Sequence, residues 1–334
     1  MPSIKDIANA LNVSTAAVSM ALNNKPGISE NTRQLILQTA ESMGYQCKTK
    51  NVPASGSIAL IHFSAFANGS EFDTPVFSQL IAGVSARAQE MKYNLMVSTC
   101  MRSDVSAATT IKNSGCAGAI LIISEADGKQ DLSILDYLDL PIVILDTSCS
   151  DRPVDIVSAN HFQGANLATQ YLISLGHSNL CFFRGDIPYA SAFMERFLGF
   201  QQAVESHENT RHCIGNFIIC NRNYKDLAAI ISQLSPMPTA FICAGDWYAL
   251  ECIHALQHLG YRVPEDVSVI GFDNTPLCEI SSPKITTMDI PFQRMGALAV
   301  DRLLDVITGR TSGESVNIEL FAKLVVREST GPAK

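Results

Sequence analysis

No stretch of this chain stays apolar for more than about eight residues. The longest such runs, SIALIHF at 57–63 and CAGAILII at 116–123, fall far short of the roughly 20 residues a membrane-spanning helix needs. The N-terminus, MPSIKDIANALN, has no basic segment leading into an apolar one, so no export signal is read and a cytoplasmic protein is expected. Charged residues are only 17% of the 334, against 47% apolar, a globular rather than a disordered balance. The ten cysteines never fall as C-x-x-C, and a chain of this length needs no disulfide staples; reduced, buried thiols are expected. There is no G-x-S-x-G, H-E-x-x-H or P-loop, which removes the commonest hydrolase and nucleotide-binding signatures. Nothing calls for a cofactor. His254 and His258 stand four apart with no third ligand in view, so no metal site is read.

Positive charge is also scarce, with a net charge of −8, but it is unevenly placed. Residues 1–50 hold five basic and three acidic side chains, and the other 284 hold 19 and 29. A mildly basic head on an acidic body suits a module that touches phosphates while the body stays off them.

The head reads as three short helices. Ser3 is placed to cap a first helix whose apolar face is Ile4, Ile7, Ala8 and Leu11. After a turn at 12–14, Ser14 caps a second helix that buries Ala17, Val18 and Leu22, and Ser29 caps a third running to Met43. Two helices joined by a three-residue turn, with a third across them, make a helix-turn-helix. Residues 47–57, CKTKNVPASGS, have a linker's composition. Beyond them, nine short β-rich runs alternate with amphipathic segments, which predicts an α/β fold with parallel sheets, either one wide sheet or two smaller ones. No internal repeat and no low-complexity tract interrupts it.

In combination, SIKDIANALNVSTAAVSMALN, YLISLGHSNLCFFRG, PTAFICAGDWYAL, RVPEDVSVIGFDN and LVVREST, in that order, resemble the landmarks of the LacI/GalR family of bacterial transcription regulators along nearly the whole chain. The resemblance implies a helix-turn-helix headpiece at 1–46, a linker at 47–57, and a body like a periplasmic sugar-binding protein. That body would have one α/β subdomain at 58–158 and 287–321 and another at 159–286 and 322–330. It also implies a homodimer reading a near-palindromic operator on double-stranded DNA, with a small-molecule effector in the cleft, no membrane partner and no enzymatic activity. Rival readings of the body are a periplasmic-type solute-binding protein and a regulator that has lost its ligand.

By position in the family, Thr15 and Ala16 start the base-reading helix and Met20 lies one turn on, where relatives often carry arginine. Arginine makes bidentate bonds to guanine worth roughly 1–3 kcal/mol, which methionine cannot. An A·T pair under Met20 is therefore expected; the alternative reading is that Met20 is merely tolerated there or packs back on the headpiece. Lys5, Ser14, Ser19, Asn23 and Lys25 are the expected phosphate contacts. The family's hinge helix, with an apolar wedge in the minor groove, is not expected here, because the linker is short and contains Pro53 and Gly56.

In the cleft, Asp146, Arg196, Asp246 and Asp273 match the family's ligand positions, with Phe77 and Tyr224 as candidate stacking faces. Carboxylates and a guanidinium suit hydroxyl-rich ligands. The expected effector is a sugar, disaccharide or phosphorylated derivative, with a nucleobase or nucleoside as the second reading. Gly245 stands where many relatives carry asparagine, and the segment at 66–74 is longer than usual.

Overall fold

A computed structural model of the chain describes residues 3–22, 27–43, 56–64, 75–101, 109, 111, 113–123, 133–146, 152–185, 191–207, 214–220, 223–311 and 313–334. The chain forms two compact units, 1–53 and 54–334. Most of the expected linker lies outside the described residues.

In the first unit, α1 (Ile4–Leu11) opens on a reciprocal cap. Asp6 N–H donates to Ser3 Oγ at 3.3 Å, and Ser3 N–H donates to Asp6 Oδ2 at 2.7 Å. The helix stops at Asn12, left-handed at φ 52°, a conformation asparagine tolerates. Ser14 Oγ then accepts from Ala17 N–H at 3.0 Å to start α2 (Thr15–Leu22), and Ser29 Oγ accepts from Thr32 N–H at 3.2 Å at the start of α3 (Glu30–Ser42). Each serine occupies the helix N-terminus where orphan N–H groups need an acceptor. Ile7, Ala8, Val18, Ala21, Ile36 and Ala40 form the small core between the three helices.

The second unit contains two six-stranded sheets. In sheet one the order is β11 (Asn317–Phe321), β5 (Asp155–Asn160), β4 (Ile142–Leu145), β3 (Ala119–Ile123), β1 (Ser57–Ser64), β2 (Asn94–Met101), all parallel. In sheet two it is β12 (Lys323–Val325), β10 (Thr286–Asp289), β9 (Ser268–Phe272), β8 (Ala240–Cys243), β6 (Asn179–Gly185), β7 (Ile214–Cys220), parallel except for β12. The strands that read as continuous apolar runs are those buried along their whole length, β3, β6, β8 and β9. Among the described residues three strands exceed the nine expected: β10 is short and threonine-rich, β11 alternates exposed and half-buried residues, and β12 has three residues.

Helices α4 (Pro75–Glu90) and α10 (Phe292–Thr308) pack together on sheet one, crossing so closely that a Cβ added at Gly83 would lie 2.0 Å from Gln293 O. On sheet two, α5 (His161–Ser174) packs with α6 (Ser191–Glu205), and α7 (Tyr224–Ile231) with α8 (Asp246–His258), which also meets the short α9 (Leu277–Ile280). The chain passes between the sheets three times: from β5 into α5, from β10 into α10, and from β11 through Ala322 into β12. The middle passage corrects the expected break at 286–287. Thr286–Asp289 pairs along its length with β9 and β12, so the chain leaves sheet two only after Asp289. The first passage likewise comes after Asn160, the last residue of β5, and not before residue 159.

Candidate functional site

Parallel strands of an open α/β sheet present a crevice at their carboxyl ends. Asp146 directly follows β4 in sheet one, with φ 61°. Asp273 directly follows β9 in sheet two, with φ 101°. Its turn is pinned through the next residue: Arg327 Nη2 donates to Asn274 Oδ1 at 2.8 Å, and Asn274 Nδ2 donates to Asp289 Oδ1 at 3.1 Å.

Arg196, projecting from α6, is the centre of the arrangement, with 4% of its side chain exposed. Its Nη2 donates to Asp273 Oδ1 at 2.9 Å, its Nη1 donates to Ala244 O, and its guanidinium lies 4.1 Å from the Phe272 ring centroid. Nε and Nη2 both point at His161 Nδ1, at 3.3 and 3.2 Å. That nitrogen must accept, so the ring hydrogen sits on Nε2. Nε2 faces Asp146 Oδ1 at 3.8 Å, and Oδ1 is buried without a hydrogen bond. The chain Asp146–His161–Arg196–Asp273 thus runs from the end of one sheet to the end of the other. It brings together three of the expected residues through a fourth that sequence reasoning passed over. The signal was present: His161 is the first residue of the helix entered directly from β5, behind an Asn160 cap whose Oδ1 accepts from Gln163 N–H at 2.8 Å.

The other candidates are placed differently. Asp246 turns inward beneath the crevice. Its Oδ2 accepts from Thr275 N–H at 2.6 Å and Thr275 Oγ1 at 2.9 Å, and its Oδ1 accepts from Thr287 Oγ1 at 2.6 Å. Burial, and next the charge of Asp273, push its carboxyl up to about 7. Phe77 is 8% exposed and sits edge-on to His62 with centroids 4.5 Å apart, a core position and not an open face. Tyr224 packs edge-on to His254 and His258 of α8. Gly245 is the N-cap residue of α8; a Cβ there would lie 3.4 Å from Asp273 Oδ2.

On the first unit, Lys5, Ser14, Thr15 and Ala16 are exposed, and Ser19 and Met20 are half-buried. The Met20 sulfur lies 3.2 Å from where a Cβ at Gly27 would stand, so the thioether packs beside a glycine whose φ of 116° excludes most other residues. Asn23 and Lys25 lie outside the described residues.

Residues 3–47 match the model of bacterial regulatory proteins of the lacI family, and residues 169–330 match a periplasmic binding protein-like domain. The chain is 30% identical to the NTD biosynthesis operon regulator NtdR of Bacillus subtilis (strain 168), over 99% of this chain and 100% of that protein. It belongs to the LacI family. As a LacI-family protein it is a DNA-binding transcriptional regulator with an effector-binding body, and not an enzyme. Two solved structures share the LacI-family fold over nearly the whole chain. The lac repressor dimer bound to operator and the anti-inducer ONPF matches with a TM-score of 0.70 and 24% identity, covering 99% of both chains. The CelR–cellobiose complex matches with 0.68 and 24%, covering 98% of this chain and 100% of that one. Among the described residues of this LacI-family protein, no helix is long and apolar enough to cross a membrane.

Proposed function

We propose that the chain is a cytoplasmic repressor that binds a near-palindromic operator as a homodimer and is controlled by a sugar or sugar derivative in the crevice between its lobes. The supporting observation is the Asp146–His161–Arg196–Asp273 chain, which joins strand ends of both sheets, so a ligand held there contacts both lobes at once. Asp146 and Asp273 offer acceptors to hydroxyls. Arg196 orients Asp273, and Phe272 beneath it fixes the guanidinium plane. Asp246 supports the floor of the site from below, through Thr275 and Thr287. Effector binding changes how the lobes sit, and this is coupled reciprocally to DNA affinity. The cellobiose bound by CelR, a protein of the same fold, agrees with a carbohydrate in the crevice.

In the headpiece, Thr15, Ala16 and Met20 contact bases, while Lys5, Ser14, Ser19 and Asn23 hold phosphates. The headpiece spans 1–46, the linker 47–57, and the lobes meet at the three passages described above. Fluorescence anisotropy with the chain's own promoter duplex, titrated with sugars found to raise its melting temperature, tests the reading. Selective DNA binding that a stabilising sugar changes at least tenfold is expected. Binding no tighter than to random duplex at low salt would end it.

A further inference from the structure

We infer that Arg327 is a positioning residue for the crevice: acting through Asn274, it holds the turn that presents the Asp273 carboxylate to a ligand. This rests on the effector reading above and deepens it by naming a residue that touches no ligand and yet sets its affinity.

The turn needs holding. Asp273 and Asn274 follow one another with φ of 101° and 51°, and neither is glycine. Side chains adopt that region rarely, and such residues persist where several contacts fix them together. Along the main chain, Asp273 N–H donates to Met288 O at 2.8 Å, and Asn274 N–H donates to Thr287 Oγ1 at 3.4 Å. The side chain of Asn274 adds two more bonds. Its Nδ2 donates to Asp289 Oδ1 at 3.1 Å, and its Oδ1 accepts from Arg327 Nη2 at 2.8 Å. Asp273 itself accepts at Oδ1 from Arg196 Nη2 at 2.9 Å. Two arginines from distant parts of the chain thus hold one turn, Arg196 by its carboxylate and Arg327 by the neighbouring amide. Asp289 is the last residue of β10, so the same amide also fixes the turn to the point where the chain leaves sheet two.

Arg327 lies two residues past β12, with 11% of its side chain exposed. Its N–H donates to Thr286 Oγ1 at 2.9 Å and its Nη1 donates to Ile285 O at 3.0 Å, which anchors it where the chain enters β10. Nε donates to Glu279 Oε1 of α9 at 2.8 Å. A planar guanidinium whose arms leave at fixed angles sets the spacing between that backbone and the turn after β9; an ammonium on a flexible stem does not. The simpler account is an ion pair that ties the end of the chain to α9. Glu279 has 56% of its side chain exposed, where such a pair contributes little, and it does not explain the arm that ends on Asn274.

Calorimetric titration of the full-length protein with glucose, galactose, ribose and cellobiose tests this, with affinities compared for each probe the native protein binds. Arg327→Lys keeps the charge beside Glu279 and loses the fork. Asn274→Gly accepts φ 51° freely and loses both side-chain bonds. Each is expected to weaken sugar binding at least about tenfold. The double variant is expected to lie within about threefold of Asn274→Gly alone, because the two changes break the same path. Glu279→Gln is expected to stay within about twofold. All four variants are expected to bind the promoter duplex, without sugar, within about twofold of the native protein. Single losses that multiply in the double variant, or a loss in Glu279→Gln as large as in Arg327→Lys, overturn the inference in favour of the ion pair. Unchanged sugar binding in Asn274→Gly also overturns it, and decides the matter should Arg327→Lys fail to fold. Silence from all four probes, in a native preparation that still selects its promoter duplex, overturns it too. Failure of that preparation to select its promoter strikes the effector reading itself.

Discussion

Asp146 Oδ1 and His161 Nε2 face each other 3.8 Å apart, one at the end of a strand in sheet one and the other in the first turn of a helix packed on sheet two. The gap is about 1 Å longer than an N–H···O bond, and the donor is already aimed by Arg196 on the far side of the ring. Shortening the gap by about 1 Å would convert the contact into a hydrogen bond.

Replacing His161 by phenylalanine keeps an aromatic ring and removes both nitrogens. A hydrogen bond to a charged group contributes about 1.5–3 kcal/mol. The variant is therefore expected to bind any stabilising sugar at least about tenfold more weakly, while its DNA affinity without sugar stays within twofold. Calorimetry and anisotropy on one preparation check both. Unchanged sugar binding would show that the pair adds nothing to the liganded state.

The Met20 thioether packs beside Gly27, and the helix surface around it carries no arginine. In Met20→Arg a longer, charged side chain has to leave that niche and reach outward. Binding-site selection is expected to recover an A·T pair beneath residue 20 for the native protein and a G·C pair for the variant, a preference of about 1–3 kcal/mol. An invariant G·C pair for the native protein would refute the assignment.

Asp246 gives the body a pH dependence with a definite sign. Its carboxyl goes from an ordinary value of 3.8 to about 7 in the folded chain, chiefly by burial and then by the charge of Asp273. Between about pH 4 and 7 the folded state holds a proton that the unfolded chain has lost. This group's contribution to stability therefore falls as pH rises through that window and is level above it. Asp246→Asn, with a similar shape and no charge, is expected to flatten the slope and to gain about 2–4 kcal/mol on the native protein at pH 8 relative to pH 4. Urea unfolding at the two pH values measures it; parallel slopes would contradict it.

At Gly83 the α4–α10 crossing leaves no room, since an added methyl would stand 2.0 Å from Gln293 O. Gly83→Ala is expected to force the helices apart and cost about 1–3 kcal/mol in chemical unfolding, despite alanine's better helix propensity. A variant as stable as the native protein would show that the helices slide apart at no cost.

Legibility followed distance along the chain. The three serine caps of the head are readable because each accepting hydroxyl and the N–H that donates to it lie three residues apart. The apolar strands were readable because burial on both faces leaves a continuous mark. β10, with Thr286 and Thr287 bonded to Ser329, Thr330 and Asp246, left none, and the passage between lobes was therefore placed three residues early. In the crevice, Asp146, Arg196 and Asp273 were found through family resemblance. His161 was missed because the partners that give it a role, Arg196 and Asp146, lie 35 and 15 positions away. Phe77 and Tyr224 fit the right residue type, but packing turned Phe77 onto His62 and Tyr224 onto two histidines of α8.

The sequence by itself determined the three-helix head, the alternating α/β body and the family, because capping, periodicity and ordered motifs are local properties of a chain. Only the tertiary structure decided which carboxylates stay open to a ligand and which are spent on threonines or on Arg196. A polar group's availability depends on what reaches it from other elements, and those partners are set when the two sheets and their helices come together.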